Sequence, residues 1–509
     1  MVQPDVVVIG AGPTGTSAAI LLGQAGVRTL VLDKRFDVYA QPRAVHLDDE
    51  VYRILATLGV AERFAALSRP GAGLRLLSPR HRTLAQFDRT DPQTSNGYPQ
   101  ANMFDQPDLE AALRTRMHEL EPVTFRGGVE VTAVRAEASD GSGRPEVEFS
   151  DPGTGERHVV RPRFVFGCDG ANSRTRAAIG ATMRDLGFRP QRWLVVDIAT
   201  PRDLGHWDGV HQVCDSRRAA TYMRIGHTRH RWEFQLLDGE RAADYQTLDA
   251  LAPLLAPWDT DTRDFAVLRV AEYTFRAQLA DRWRTGGVFI LGDAAHLTPP
   301  FIGQGLGAGI RDAANLSWKV AAVVHGTLPP GVLDSYEAER RPHARALVRL
   351  AVVVGRCMTG GGRAGDRLRE VVLPWVVHLP GLRRKVLDST TPALRRSVLI
   401  GRRRFRRGPA GQLCPNVTLG SGDRFDAICG WGPTLVVRVP PGPADAERLA
   451  ALGIAVVRAA ESPELLAWLG RRPAVLVRPD RTVLMAGTVA DVLRRAPFRP
   501  AAVLAPGPA

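Results

Sequence analysis

Hydrophobic residues come in short blocks whose spacing changes along the chain. "VVVI" (Val6 to Ile9) is an uninterrupted apolar run closed by a glycine, the pattern of a strand buried on both faces. In "TSAAILLGQAG" the apolar positions recur at helical spacing until Gly26 stops them, and "RTLVLDK" is a second apolar run ending in Asp33. Together they predict a strand–turn–helix–strand unit of about thirty residues. "PDLEAALRTRM" reads as a helix with proline at its first position and acids in its first turn. "VEVTAVRAE" alternates like a half-buried strand, and "RFVFGCDGANS" is a strand running into a loop.

From about Met183 to Ala280 the pattern becomes β-rich. "RWLVVDIAT", "AATYMRI", "RWEFQLLDG" and "FAVLRVAEYTFRA" are separated by polar turns and predict a largely antiparallel sheet. "GGVFILGDAAH" returns to a buried strand. Helical spacing follows, including "DSYEAERRPHARALVRLAVVV", where Pro342 is expected to kink or restart the helix. The last hundred residues alternate short strands and helices, as in "PTLVVRV", "AERLAALG" and "PAVLVRPDRTVLMAG".

Composition narrows the classes. At 509 residues, 44% hydrophobic and 24% charged, the chain can build large cores in roughly three domains of about 150 residues each. No run approaches the eighteen or so apolar residues of a membrane span. The start, "MVQPDVVVIGAG", lacks a basic stretch and a small-residue cleavage site, so a cytoplasmic location is expected. Five separated cysteines with no CxxC argue against a disulfide framework, a zinc site or a dithiol centre, and no metal is expected. The net charge of +14 is almost all arginine, since lysine occurs only at 34, 319 and 385. Its densest run, "GRRRFRRG" (Gly401 to Gly408), lacks the interleaved aromatics of a nucleic-acid groove, so nucleic acid and membrane are not expected partners. Anionic small molecules would be steered in by such a surface.

The chemistry lies in two distant glycine loops. In "VVVIGAGPTG", Gly10, Gly12 and Gly15 follow a strand and, with Pro13, open a helix. Glycines there allow a tight turn and let a pyrophosphate approach backbone amides, while Asp33 is placed to accept from a ribose. This spacing alone leaves FAD and NAD open. The second loop, "LGDAAHLTPPFIGQGLGAG", favours FAD, which must be held at both ends. Asp293 ends a strand and suits a ribityl hydroxyl, and the glycines before "IRDAANLSWKV" bare backbone amides toward ring carbonyls. "CDGANSRTR" is a third strand-terminal element.

These three elements, Gly10/Gly12/Gly15, Asp169-Gly170 and Gly292-Asp293, appear in the order that resembles the single-component, class A FAD-dependent aromatic hydroxylases. The wider pattern is similar to the hydroxyphenylpropionate and aromatic polyketide hydroxylase branches. In "QPRAVHLDDE", Arg43 matches the arginine near flavin and pyrophosphate, and in "FDQPDLEAALR", Gln106 matches a ribityl contact. The resemblance implies non-covalent FAD, with Lys34, Val131, Gly303, Gly305, Leu306 and Gly307 joining the cofactor set. It implies NADPH or NADH as reductant, and transfer of oxygen from a flavin hydroperoxide to a small aromatic substrate. The fold it implies is α/β: a Rossmann-like FAD-binding domain (1–182 and 285–400), an inserted antiparallel β-sheet substrate domain (183–284) and a thioredoxin-like C-terminal domain (401–509). That last domain supports dimers in many members, which leaves a homodimer open. Two departures stand out: Ile302 precedes Gly303 where the family has a double glycine, and Gly307 replaces a common asparagine. Backbone amides survive both, so FAD binding is expected to survive too.

The catalytic residue is not assigned. Tyr222, Arg224, Trp232 and Phe234 lie on predicted strands of the middle sheet, and two of the four are expected to face the pocket. His46 and Asp48 are candidates to reach a phenol, with a structural role the stronger reading of each. Pro299, with Pro300, shapes the wall by the flavin edge or simply stiffens a turn. His296 reads as a loop-packing residue before a proton relay. A Baeyer–Villiger, epoxidising or oxidase flavoenzyme is the alternative on the same scaffold, and a non-catalytic flavin-binding regulator the alternative of another class.

Overall fold

The apolar runs at Val6–Ile9, Thr29–Leu32, Phe164–Gly167 and Val288–Ile290 do become strands, and all four sit inside one sheet. A computed structural model describes residues 3–40, 43–91, 94–138, 140–226, 228–258, 261–376, 391–400 and 408–500. In it the six-stranded sheet has the order Arg284–Thr285, Val288–Ile290, Phe164–Gly167, Val6–Ile9, Thr29–Leu32, Val123–Arg126, parallel except for its first edge strand. Val6, Val7 and Val8 are fully buried, as a strand covered on both faces requires. The crossover helix Pro13–Gln24 packs one side of it together with the long helix Gly305–Val324. Every strand that bears a predicted motif therefore ends at the same edge, because parallel strands align their C-terminal ends.

A second sheet of seven strands has the order Ala266–Phe275, Gln191–Ala199, Arg229–Gln235, Ala220–Arg224, Val210–Val213, Gly73–Leu77, Thr83–Asp88. Its neighbours are antiparallel apart from Val210–Val213 with Gly73–Leu77. Two of its strands thus come from within 1–182, so the middle segment does not build it alone. A parallel pairing between strands more than 130 positions apart leaves no trace in local spacing. One face of this sheet is closed by Leu248–Leu255, a short helix capped by Thr247, whose Leu251 and Leu255 are fully buried.

The helix Ser335–Thr359 runs through Pro342 without restarting. One backbone bond is lost there, but Glu339, Arg340 and His343 around it are buried in polar contacts that hold the turn. At the C-terminal end, four strands take the order Ala455–Arg458, Thr434–Val437, Ala474–Val477, Val483–Gly487. The first pair is parallel and the rest antiparallel, with the helices Pro443–Ala451, Pro463–Leu469 and Val489–Arg495 between and after them. The arginine-rich run lies outside the described residues except for its final Gly408, as does Lys385.

Candidate functional site

The three motif loops meet. Gly10 has a φ of +98°, and a Cβ on it would strike the carbonyl oxygen of Cys168; a Cβ on Gly15 would strike the carbonyl of Gly10. These two glycines are demanded by backbone packed on backbone. Gly12 differs, with nothing within 4 Å of where its Cβ would be. It precedes Pro13 at the start of a helix with no side-chain cap, so amides there face open space. Asp33 fastens the loop from below, accepting from Ala11 N at 2.6 Å and from Arg35 N at 2.8 Å. Lys34 beside it is exposed. Arg114 donates to the carbonyls of Phe36 (2.6 Å) and Ala11 (3.4 Å), a support for this loop that no motif announced.

The second loop is pinned to the first by Thr14. Cβ atoms on Gly292 (φ +59°) and on Gly309 would both run into its hydroxyl. Asp312, fully buried, accepts from Gly292 N at 3.1 Å and from His296 Nε2 at 2.8 Å, and pairs with Arg340 at 2.8 Å. Burial alone would raise this carboxyl; Arg340 and His296 outweigh it and hold it low. His296 is thus a packing residue of this loop, with Asp312 the missed residue that orders it. Asp293 stands apart. It is open to solvent at the cleft mouth and makes no side-chain hydrogen bond among the described residues. The walls around it push its carboxyl up, and His296 and Arg43 oppose that.

In the third loop Asp169 is engaged in its own turn, accepting from Ser173 Oγ (2.5 Å) and from the amide and hydroxyl of Thr175 (2.9 and 3.1 Å). Gly170 has a φ of +77° with open space above it. Gln106 is also engaged: its Oε1 accepts from Arg43 N (3.1 Å) and Ala44 N (2.6 Å), and its Nε2 donates to Glu110. It fixes the backbone of Arg43, whose exposed guanidinium lies 5.5 Å from the Tyr39 ring. Val131, half-buried, pairs with Phe149 and packs on the main core.

Along the far wall, Pro299 is buried in extended conformation before the turn Pro300–Ile302. Gly303 (φ +64°) would place a Cβ 2.9 Å from His46 Nδ1. Burial lowers the His46 imidazole to about 4, so the ring is neutral near pH 7. Gly305 opens the long helix with clear space above it, and Leu306 follows half-buried. At Gly307 a Cβ would press on Val51 Cγ2 and Arg311 Nη1, both at 2.9 Å, which explains the glycine where an asparagine is common. Asp48 does not reach out to a ligand. It is buried and accepts from Val51 N, Gln304 Nε2 (2.9 Å) and Arg311 (2.6 Å), latching this loop to the strand His46–Asp48.

The seven-stranded sheet roofs the cleft with one face only. Arg231 donates to the carbonyl of Arg43 (3.1 Å), and Gln212 to that of Phe301 (3.0 Å). Strand alternation puts Tyr222, Trp232 and Phe234 on the other face. There they are buried with Leu251, Leu255 and Trp258 under the helix Leu248–Leu255. Arg224 shares that face and donates to Gly226 O. None of the four predicted pocket residues faces the cleft; large aromatic side chains are drawn to the closed core because burial there is worth about 1.5–3 kcal/mol each.

Against known proteins, the family described as FAD binding domain matches residues 3–351. The chain belongs to that family. Within this FAD-binding family, it is 36% identical over 388 residues to a 3-(3-hydroxy-phenyl)propionate/3-hydroxycinnamic acid hydroxylase of Mycobacterium avium (strain 104), covering 75% of this chain and 66% of the relative. The protein of the same name from Mycobacterium sp. (strain JLS) is 34% identical over 500 residues, 95% of this chain and 85% of that one. The crystal structure of aklavinone-11 hydroxylase with FAD and aklavinone shares the fold, with a TM-score of 0.79 at 23% identity over 97% of this chain and 98% of that one. The residues of this FAD-binding cleft fit the dinucleotide: an uncapped helix start above Gly12, bare glycine backbone at Gly305, and a carboxylate at Asp293 with no hydrogen-bond partner among the described residues.

Proposed function

We propose that the protein is an FAD-dependent monooxygenase that hydroxylates a small phenolic or aromatic substrate, with NADPH or NADH as reductant and dioxygen as oxidant. The observation behind it is the convergence of three loops from one parallel sheet on a cleft that a second sheet roofs through Arg231 and Gln212. The hydroxylase names of the two mycobacterial relatives support the same reaction.

In this reading the amides after Gly12 hold the pyrophosphate, Asp33 the adenine-side ribose, Asp293 the ribityl chain and the 303–307 backbone the ring, with Arg43 at its edge. When bound, the flavin supplies the redox chemistry: hydride acceptance from the nicotinamide nucleotide and activation of dioxygen. The chain's own work is positional. Asp48, Arg311 and Gln304 lock the loop under the ring, so its amides stay preorganised. Pro299 and Phe301 wall the cleft, and the sheet's inner face excludes water and orients the substrate.

The C-terminal unit is read as thioredoxin-like. Its strand order and its single antiparallel inner strand support this, and so does the alternation of strand and helix. Cys414 and Cys429 within it are buried with their thiols pushed up by desolvation, which suits a structural unit without dithiol chemistry.

The test is NADH and NADPH oxidation by the FAD-loaded protein across a panel of phenols, with product mass measured. Phenol-stimulated oxidation yielding a product heavier by one oxygen atom is the expected result. Oxidation that no phenol accelerates, with no oxygenated product, would sink the reading.

A further inference from the structure

Glu233 occupies the centre of the strand Arg229–Gln235, in register with Val195 on one side and Thr221 on the other. Gln212 continues the same row, opposite Thr221. Alternation places Glu233 on the inner face with Arg231, two positions away, and opposite to Trp232 and Phe234. The two contacts that hold this face over the cleft bracket it: Arg231 to the Arg43 carbonyl and Gln212 to the Phe301 carbonyl. Toward one end of the strand lies an ionic patch, Arg231 paired with Asp197 (2.7 and 3.0 Å) and Arg269 3.6 Å from the same carboxylate. Toward the other lies an aromatic patch, with the Trp193 and Phe301 rings 6.0 Å apart.

Within this setting Glu233 has no hydrogen bond and no ion pair of its own among the described residues. The nearest cation in sequence, Arg231, is already committed to Asp197 and Arg43. Glu233 is half-buried on the face of the sheet that Arg231 and Gln212 hold over the cleft. Desolvation pushes its carboxyl above the ordinary glutamate value; Arg231 and Arg269 pull it down and Asp197 pushes it up. An unpaired, partly desolvated carboxylate costs stability, and such a group facing a ligand cleft is a functional candidate. A phenol supplies what it lacks: an O–H donor on a flat apolar ring that suits the aromatic patch beside it.

We propose that the carboxylate of Glu233 accepts the hydroxyl hydrogen of a phenolic substrate and takes its proton as the ring is hydroxylated. The inference rests on the monooxygenase reading above. The O–H bond breaks and its proton passes to Glu233; the electron pair left on oxygen becomes the second bond of a ring carbonyl. The ortho or para carbon gains the electron density to bond to one atom of dioxygen as the O–O bond breaks; the other atom leaves as water, with NADH or NADPH supplying the two electrons. Loss of the proton on that carbon restores the aromatic ring, and the carbonyl oxygen is protonated again. A phenol is a weak acid at rest, but its O–H becomes strongly acidic as the ring carbon bonds to oxygen, so a carboxylate suffices as base.

The experiment compares FAD-loaded wild type with Glu233→Gln and Glu233→Asp, using resorcinol and 3-(3-hydroxyphenyl)propionate as probes. It reads the rate of oxygenated product formation beside the rate of NADH or NADPH oxidation. Glu233→Gln is expected to lower product formation roughly 10²- to 10³-fold, the range of a lost general base, with FAD content retained. Glu233→Asp is expected to recover part of it. In parallel the wild type receives the fully O-methylated form of each probe, 1,3-dimethoxybenzene and 3-(3-methoxyphenyl)propionate, which has no phenolic proton to give and needs no variant to fold. That ether should perturb the flavin spectrum on binding yet give at least about 100-fold less oxygenated product. Glutamine at 233 working within threefold of wild type, or an ether hydroxylated as fast as its phenol, would overturn the role of Glu233 while leaving the monooxygenase reading intact. A wild type that binds FAD but oxygenates no phenol overturns both.

Discussion

Carboxylates in the cleft and carboxylates behind the helix Gly305–Val324 are treated in opposite ways. In the cleft Asp293 and Glu233 have no hydrogen bond or ion pair among the described residues, whereas Asp33, Asp48 and Asp169 are held within their own loops. Behind the helix, where the C-terminal unit docks, nearly every acid is held. Glu339 binds Lys319 (2.8 Å) and Arg478 (2.9 Å) with all three fully buried. Asp426 takes Arg53 at 2.6 Å and Arg481 at 2.9 Å. Ser397 also donates to Glu339, so residues from three other stretches of the chain share one carboxylate. Buried charge left unpaired is expensive, so pairing marks a group whose task is to fix structure. An open carboxylate in a cleft marks one whose partner is a ligand. The difference sorts acids by role without reference to their place in any motif.

The largest test of that contrast is Glu339→Gln. It leaves Lys319 and Arg478 buried with their charges poorly matched, a loss on the order of 3–5 kcal/mol. The thermal midpoint at pH 7 should fall by several degrees, read by scanning calorimetry. Burial would raise the Glu339 carboxyl, but Arg478 and Lys319 outweigh it and hold it far below the glutamate range. Its folded value is therefore depressed. The stability it contributes is present above the unfolded value of about 4.3 and is lost as pH falls through that value toward the folded one. The gap between wild type and variant should narrow in acid. A midpoint unmoved at pH 7 would break the claim that pairing here fixes the docked unit.

Asp293→Asn tests the other side. With no hydrogen-bond partner among the described residues to lose, the variant should keep the wild-type midpoint when FAD is absent. A ligand hydrogen bond to a charged group is worth about 1.5–3 kcal/mol, so FAD affinity should drop roughly 10- to 100-fold. Fluorescence titration of the apoprotein measures it. An affinity within twofold of wild type would show Asp293 to be as structural as Asp312.

The nucleotide side of the cleft was legible because its demands are local. Gly10 and Gly15 are fixed by close backbone contacts and Gly292 by its positive φ and the Thr14 side chain against it, and their spacing survives as text. Which face of a strand points inward does not. Tyr222, Trp232 and Phe234 look like pocket walls by residue type, yet alternation alone cannot say that the helix Leu248–Leu255 closes over them. Glu233, between two of them, reads as a solvent position until Arg43 and Phe301 are seen across the cleft. The structural role of Asp48 was legible but its partners were not, because Gln304 and Arg311 lie more than 250 residues away. The same distance hid the entry of Gly73–Leu77 and Thr83–Asp88 into the roof.

The smallest expected effect concerns an acid behind the helix that breaks the pairing rule. Asp49 is buried, lines a cavity of about 610 Å³ against the C-terminal unit, and among the described residues accepts from the neutral donors Thr94 and Asn96. Burial, and then the charge of Asp48, raise its carboxyl to about 6. The folded value lies above the unfolded one of about 3.9, so folding favours the protonated form. Between roughly pH 4 and pH 6 the unfolded chain has given up this proton while the folded chain still holds it. Stability therefore falls as pH rises through that window and stays lower above it. Asp49→Asn removes the penalty and keeps an oxygen for the Thr94 hydroxyl. It should stabilise by about 1 kcal/mol at pH 7.5, a degree or two in midpoint, and by nothing near pH 4. A variant less stable at pH 7.5, or one whose gain ignores pH, would mean that Asp49 is satisfied as it stands and that its two neutral donors serve as well as the arginines serve its neighbours.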